Sequence, residues 1–184
     1  FLGVILSCKV PAQRWPPEWV SIVSRDSIVP SNLVRVELPY RPPMLRDMTV
    51  CVPPSYGDLS PQKFTEWLEL LSYMGVTKVT IYDTGIFQSV RKVIKSFAEK
   101  GIVDLRRTAF PLQDGNTTLA RRLMSAATIN DCFYRNMMEH SKVMVVDIDE
   151  IIVPRIHDTY PELLTYIDDI LPPHPGINSL LFLF

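Results

Sequence analysis

Hydrophobic and polar positions fall into a regular alternation of elements once the first 45 residues are passed. Residues 1–45 are Pro-rich and irregular, with short β-like pieces predicted at 2–6 and 33–38. Thr49-Val50-Cys51-Val52 then forms a short apolar strand stopped by Pro53-Pro54, followed by the loop Ser55-Tyr56-Gly57-Asp58. Ser60 fits a helix N-cap with Pro61 at the first helical position. Phe64, Trp67, Leu68, Leu71 and Met74 recur at helical spacing, and Gly75 supplies the stop. The β-rich run Val76-Thr77-Lys78-Val79-Thr80-Ile81-Tyr82 leads to Asp83. Val90, Val93, Ile94, Phe97 and Ala98 predict a second helix ended by Gly101, and Ile102-Val103-Asp104-Leu105 a third strand. After a polar stretch, Leu119, Leu123, Ala126, Ala127, Asn130, Tyr134, Met137 and Met138 predict a third helix with Asn130 on its apolar face. The fourth strand, from Lys142, runs straight into Asp147-Ile148-Asp149-Glu150.

Strands alternating with helices predict an α/β fold: right-handed crossovers and a mostly parallel, Rossmann-like sheet with helices on both faces. The expected organisation is a flank over 1–45 and one incomplete domain over 46–184. Ligands of such sheets bind outside the carboxyl ends of the strands. Three predicted strand ends carry polar or ring groups there: Pro53, Pro54 and Tyr56 on the first, Tyr82 and Asp83 on the second, Asp147 and Asp149 on the fourth.

The acidic pair gives that edge its chemistry. If the strand continues, Asp147 and Asp149 project to the same side. Two carboxylates side by side repel unless a cation lies between them, which suits a hard divalent ion such as Mg²⁺ or Mn²⁺. The plainer alternative is a solvated acidic turn. Asp83 fits either a ribose or base contact or a turn residue before Gly85. Glu150 is expected to be solvated or to curl back beside the pair. His140, His157 and His174 are isolated and expected on the surface or in loops. Arg106-Arg107 could meet phosphate but is read as solvated, and Trp67 as a packing residue.

Composition narrows the classes. The chain has 184 residues, 47% of them hydrophobic, enough for one sizeable core. With 19 basic and 20 acidic residues the net charge is -1, which gives no general electrostatic case for nucleic acid or a membrane surface. No apolar run approaches a membrane span. Both ends look cut, Phe1 at one and an apolar run to Phe184 at the other, so any anchor is expected outside this sequence. Cys8, Cys51 and Cys132 show no metal spacing; one pair could bridge in an oxidising compartment, and the sequence leaves open which. Asn116-Thr117-Thr118 is a glycosylation acceptor tripeptide, a nudge toward the secretory pathway.

Several stretches together resemble the glycosyltransferase family 92 domain, formerly domain of unknown function 23. They are Cys51-Val52-Pro53-Pro54 with Tyr56-Gly57, then Glu66-Trp67, Leu71, Met74-Gly75-Val76 and Ile81-Tyr82-Asp83. The most specific is Ile129-Asn130-Asp131-Cys132-Phe133-Tyr134-Arg135-Asn136 followed by Val145-Val146-Asp147-Ile148-Asp149-Glu150-Ile151-Ile152-Val153-Pro154. The resemblance runs from about Thr49 to the end of the chain. It implies a GT-A-type fold and transfer of a hexose, expected to be galactose, from a nucleotide diphosphate sugar to a glycan or glycoprotein acceptor, with inversion. It also implies Mn²⁺ (or Mg²⁺) on Asp147 and Asp149, and a lumenal Golgi location as part of a type II membrane protein. Pro53, Tyr56, Asp83, Asn130 and Asp131 become the donor-side candidates; no catalytic base is assigned. The basic-glycine-glutamine sequence that often precedes the Asn-Asp-Cys helix in the family is replaced here by Asp114-Gly115-Asn116-Thr117-Thr118. The domain is expected to extend past Phe184, so the chain would carry a donor half-site and be inactive alone.

Two other readings compete. Haloacid-dehalogenase-like phosphatases also place Asp-x-Asp after an apolar strand, but there the motif usually opens the domain and has Thr or Val two residues after the second Asp. Here it begins at residue 147 and that position is Ile151. A non-catalytic remnant that binds nucleotide or glycan is the other.

Overall fold

The computed structural model describes residues 6–10, 16–24, 29–30, 32–38, 41–54, 59–83, 88–107 and 117–171, with only the backbone described over 117–123. Tyr56, Asn116 and His174 lie outside the described residues. In the flank, β1 (Trp19–Val20) pairs antiparallel with β2 (Val34–Arg35). The predicted piece at 33–38 therefore contains a short strand, whereas its partner at Trp19 went unread.

Four parallel strands form the main sheet: β3 (Arg46–Cys51), β4 (Val76–Asp83), β5 (Val103–Arg107) and β6 (His140–Val145), in the spatial order β5-β4-β3-β6. The helices between them are α1 (Pro61–Tyr73), α2 (Gln88–Glu99) and α3 (Thr117–Asn136), with α4 (Tyr160–Ile170) after β6. Strand alternation sorts the two faces. Met48, Val50, Val52, Val79, Ile81, Met144, Val146 and Ile148 join the main core with Phe64, Trp67, Leu68 and Leu71 of α1 and Val90, Ile94 and Phe97 of α2. Cys51 and Tyr82 face the other way, toward Cys132 of α3. Helices thus cover both faces, as the alternating pattern predicted.

α1 forms as its sequence dictates. The Ser60 hydroxyl accepts from the Lys63 N–H at 3.5 Å, and Pro61 opens the helix where no N–H is needed. Gly75 ends it with φ +97°, a conformation that favours glycine. A Cβ at Gly75 would also lie 2.7 Å from Pro161 Cδ, because α4 begins against this turn, with Tyr160 N–H donating to the Met74 carbonyl at 2.9 Å.

Candidate functional site

Because β3, β4, β5 and β6 are parallel and adjacent, their carboxyl ends share one edge of the sheet. Cys51 is in register with Thr80 on one side and Val145 on the other. Pro53 and Asp147 therefore follow at matching heights past neighbouring strands, and Asp83 stands one residue further along β4. The juxtaposition expected from sequence holds for these three.

The acidic pair sits differently from the expectation of a continuing strand. β6 ends at Val145, and the chain from Asp147 folds into a tight turn in which the Glu150 N–H donates to the Asp147 carbonyl at 3.0 Å. The cause lies on the neighbouring strand: β3 stops at Cys51, just before Pro53 and Pro54, whose missing N–H groups cannot extend a ladder. Val146 and Ile148 still bury themselves beside Met144, so the apolar alternation outlasts the strand.

Glu150 curls back, its carboxylate accepting from the Asp147 N–H at 3.2 Å. On the far side, Trp67 Nε1 donates to the Glu150 carbonyl at 2.7 Å, so the turn is tied to the packed indole of α1. Trp67 is a core residue, as read, but it also fixes the acidic turn, which spacing alone does not reveal. Asp147 is exposed as a residue, yet desolvation of its carboxyl, then the charges of Glu150 and Asp149, push its pKa up from the usual carboxylate value.

A second polar cluster lies toward β5. Tyr82 donates its hydroxyl to Asp131 Oδ2 at 2.7 Å, and Arg135 Nε donates to the same oxygen at 2.8 Å. Burial, then the Asp131 hydrogen bond, drives the Tyr82 pKa far upward, so its hydroxyl stays protonated and donating. The Cys51–Cys132 disulfide, with Cα atoms 5.9 Å apart, joins β3 to α3 next to this cluster; Cys8 is free and exposed. Asp83 ends β4 half-buried, with Arg91 of α2 at 3.6 Å.

Other expectations need correction. Asn130 is exposed, its amide donating to the Ala126 carbonyl at 2.7 Å; it is not on a buried face. The buried line of α3 is Met124, Thr128, Cys132 and Asn136, while Tyr134 and Met137 are exposed. The disulfide to β3 and the Asn136 amide near the Thr80 hydroxyl of β4 set that rotation, and periodicity carries neither. His140 is also buried rather than superficial, because it opens β6 against Arg46 of β3. Arg106 is half-buried and bound to Asp104 at 2.9 Å, not simply solvated.

Among the described residues, no group of three His, Cys, Asp or Glu side chains stands in position to hold a metal ion. A divalent ion such as Mg²⁺, however, is commonly held by one or two carboxylates, with water and substrate phosphate completing the shell. Asp147 and Asp149 fit that donor set; desolvation comes first in raising the Asp147 pKa, and the charges of Glu150 and Asp149, which a cation would offset, add to it.

A four-stranded parallel sheet flanked by helices, with an Asp-x-Asp turn on its carboxyl edge, defines a GT-A-like α/β fold. The sequence model of Glycosyltransferase family 92 matches residues 46–182, most of the chain, and the protein belongs to that family. The family is one of sugar-transferring enzymes, with a sugar donor and a glycan acceptor. Comparison with curated proteins finds no match.

Proposed function

We propose that this chain carries the donor site of a metal-dependent glycosyltransferase that moves a hexose, galactose in our reading, from a nucleotide diphosphate sugar to a glycan with inversion. One observation carries the proposal: the Asp147–Glu150 turn, braced by Trp67, stands on the edge shared by Pro53 and Asp83. Asp147 and Asp149 would hold Mn²⁺ or Mg²⁺, which supplies charge neutralisation for a departing diphosphate.

The chain's own groups do the remaining work. Glu150 holds the Asp147 backbone through its carboxylate, so the turn keeps its shape while Asp147 and Asp149 stay available to ligands. Pro53, two residues past the end of β3, has no N–H and would let a ligand approach the edge. Asp83 and Asp131, each already oriented by an arginine, are candidates to accept hydrogen bonds from donor hydroxyls. Tyr56, which lies outside the described residues, completes the proposed donor set. The buried disulfide supports an oxidising compartment, in keeping with a lumenal Golgi setting.

The test is calorimetric titration with uridine diphosphate, with and without Mn²⁺. Saturable binding that requires metal and disappears in Asp147→Asn is the expected result. Metal-independent binding, or equal binding by the variant, would refute the Asp147 assignment. Turnover assays with several donor sugars against N-glycans then decide donor and acceptor.

A further inference from the structure

We infer that a second ligand site lies at the other end of the sheet edge: a phosphate-binding cleft whose mouth is occupied by Glu37 of the N-terminal flank. α3 packs on β3 and β6 and reaches β4 through the Tyr82–Asp131 bond. Between α3 and the end of β5, a cleft of about 530 Å³ opens, and Arg106, Arg107 and Arg135 all line it. Strands are spaced about 4.8 Å apart, so β5 lies about 14 Å from β6 and the arginines of this cleft stand apart from the acidic turn, although Asp131, a donor-side candidate above, also lines the cleft.

The charges explain what the cleft takes. Arg106 is paired with Asp104, and Arg135 with Asp131. Arg107 makes no ion pair among the described residues and is exposed. The remaining anion is Glu37, whose carboxylate bonds Arg135 from a position 98 residues earlier in the chain. With Glu37 seated the cluster is neutral; with Glu37 gone it carries one spare positive charge. The chain thus already places an anion in this cleft, and by a weak attachment. The Glu37 side chain is 64% exposed, and β1 and β2, which precede it, are two-residue strands with no buried position. A tetrahedral phosphate offers acceptors to more than one guanidinium fork, whereas one fork satisfies a planar carboxylate, so three arginines favour phosphate. The Tyr82 hydroxyl, locked as a donor to Asp131, keeps Arg135 and Asp131 in place without adding charge.

The experiment is titration of the whole chain in EDTA, which keeps it independent of the metal reading. The probes are inorganic phosphate, uridine monophosphate, a hexose 6-phosphate and, as planar control, acetate. Glu37→Gln should tighten phosphate binding about two- to fivefold, the scale of an exposed ion pair removed from competition. Arg107→Ala should weaken it about tenfold, the scale of a lost charged hydrogen bond. Tighter binding in the Glu37 variant cannot come from misfolding. Preference for uridine monophosphate would assign the phosphate to a nucleotide, and preference for the hexose phosphate to a glycan; both support the site. Unchanged affinity in Glu37→Gln, equal binding by Arg107→Ala, acetate binding as tightly as phosphate, or no saturable binding overturns it.

Discussion

Removing the Cys51–Cys132 bridge is expected to cost the domain a large share of its stability. The bridge spans a sequence separation of 81 residues. The loop-entropy relation then gives about 4.5 kcal/mol at 25 °C. Reduced chains retain residual structure, so the measured loss should be about 2–4 kcal/mol. Domains of this kind hold about 5–15 kcal/mol in total, so the effect is readily seen. Both cysteines are buried, at 1% and 0% exposure, and the bridge anchors α3 on the sheet face that bears Tyr82. The double variant Cys51→Ala/Cys132→Ala avoids a stray buried thiol. Equilibrium urea unfolding should show the loss as a lower midpoint, and heating as a fall of about 10 °C in Tm. Cys8→Ser, at the exposed free cysteine, should unfold like the parent. A reductant should bring the parent down to the double variant and leave that variant unmoved. A double variant within about 0.5 kcal/mol of the parent would refute the reasoning.

How much of this was legible in the sequence depends on whether the cause was local. Ser60-Pro61 and Gly75 bound α1 where expected, since caps and stops act within a few residues. The shared strand edge was legible too, because alternating strands and helices force parallel pairing. The rotation of α3 was not. Thr128 and Asn136 are polar and hence look like surface, yet Asn136 is buried with its amide on the Cys132 carbonyl at 2.8 Å and near the Thr80 hydroxyl at 3.4 Å. The Cys132 carbonyl belongs to α3 itself, but the Thr80 hydroxyl comes from β4 and the disulfide from β3, and neither leaves a period. The acidic turn failed for the same reason: prolines on β3, not residues of β6, end the ladder before Asp147. Arg135 and Glu37 meet only through the fold, so the Arg106-Arg107 pair was the one local signal of the Arg cleft.

Three further outcomes follow from single contacts. Gly75→Ala should destabilise by about 2 kcal/mol or more by urea unfolding, because it strains a positive-φ turn and drives Cβ against Pro161. Trp67→Phe should cost about 1–3 kcal/mol, since the part-buried Glu150 carbonyl loses its donor, and should also weaken metal-dependent nucleotide binding if the turn is the metal site. His140 should make the fold acid-sensitive. Burial pushes its pKa below the usual value, and the Lys78 and Arg46 cations push the same way against the Glu139 carboxylate and the Asn136 backbone. By about pH 7.5, a unit above the ordinary value, the ring is almost wholly neutral in folded and unfolded chains alike and contributes little slope. As pH falls below that value, the unfolded chain takes up a proton that the folded chain resists, so unfolding gains protons and stability drops until the lower folded pKa is passed. Urea midpoints measured from pH 7.5 to 5 should therefore fall for the parent and fall less for His140→Phe, whose ring fills the site without titrating. Parallel pH profiles for the two proteins would mean that His140 is protonated as easily in the fold as outside it, and the burial argument would be wrong.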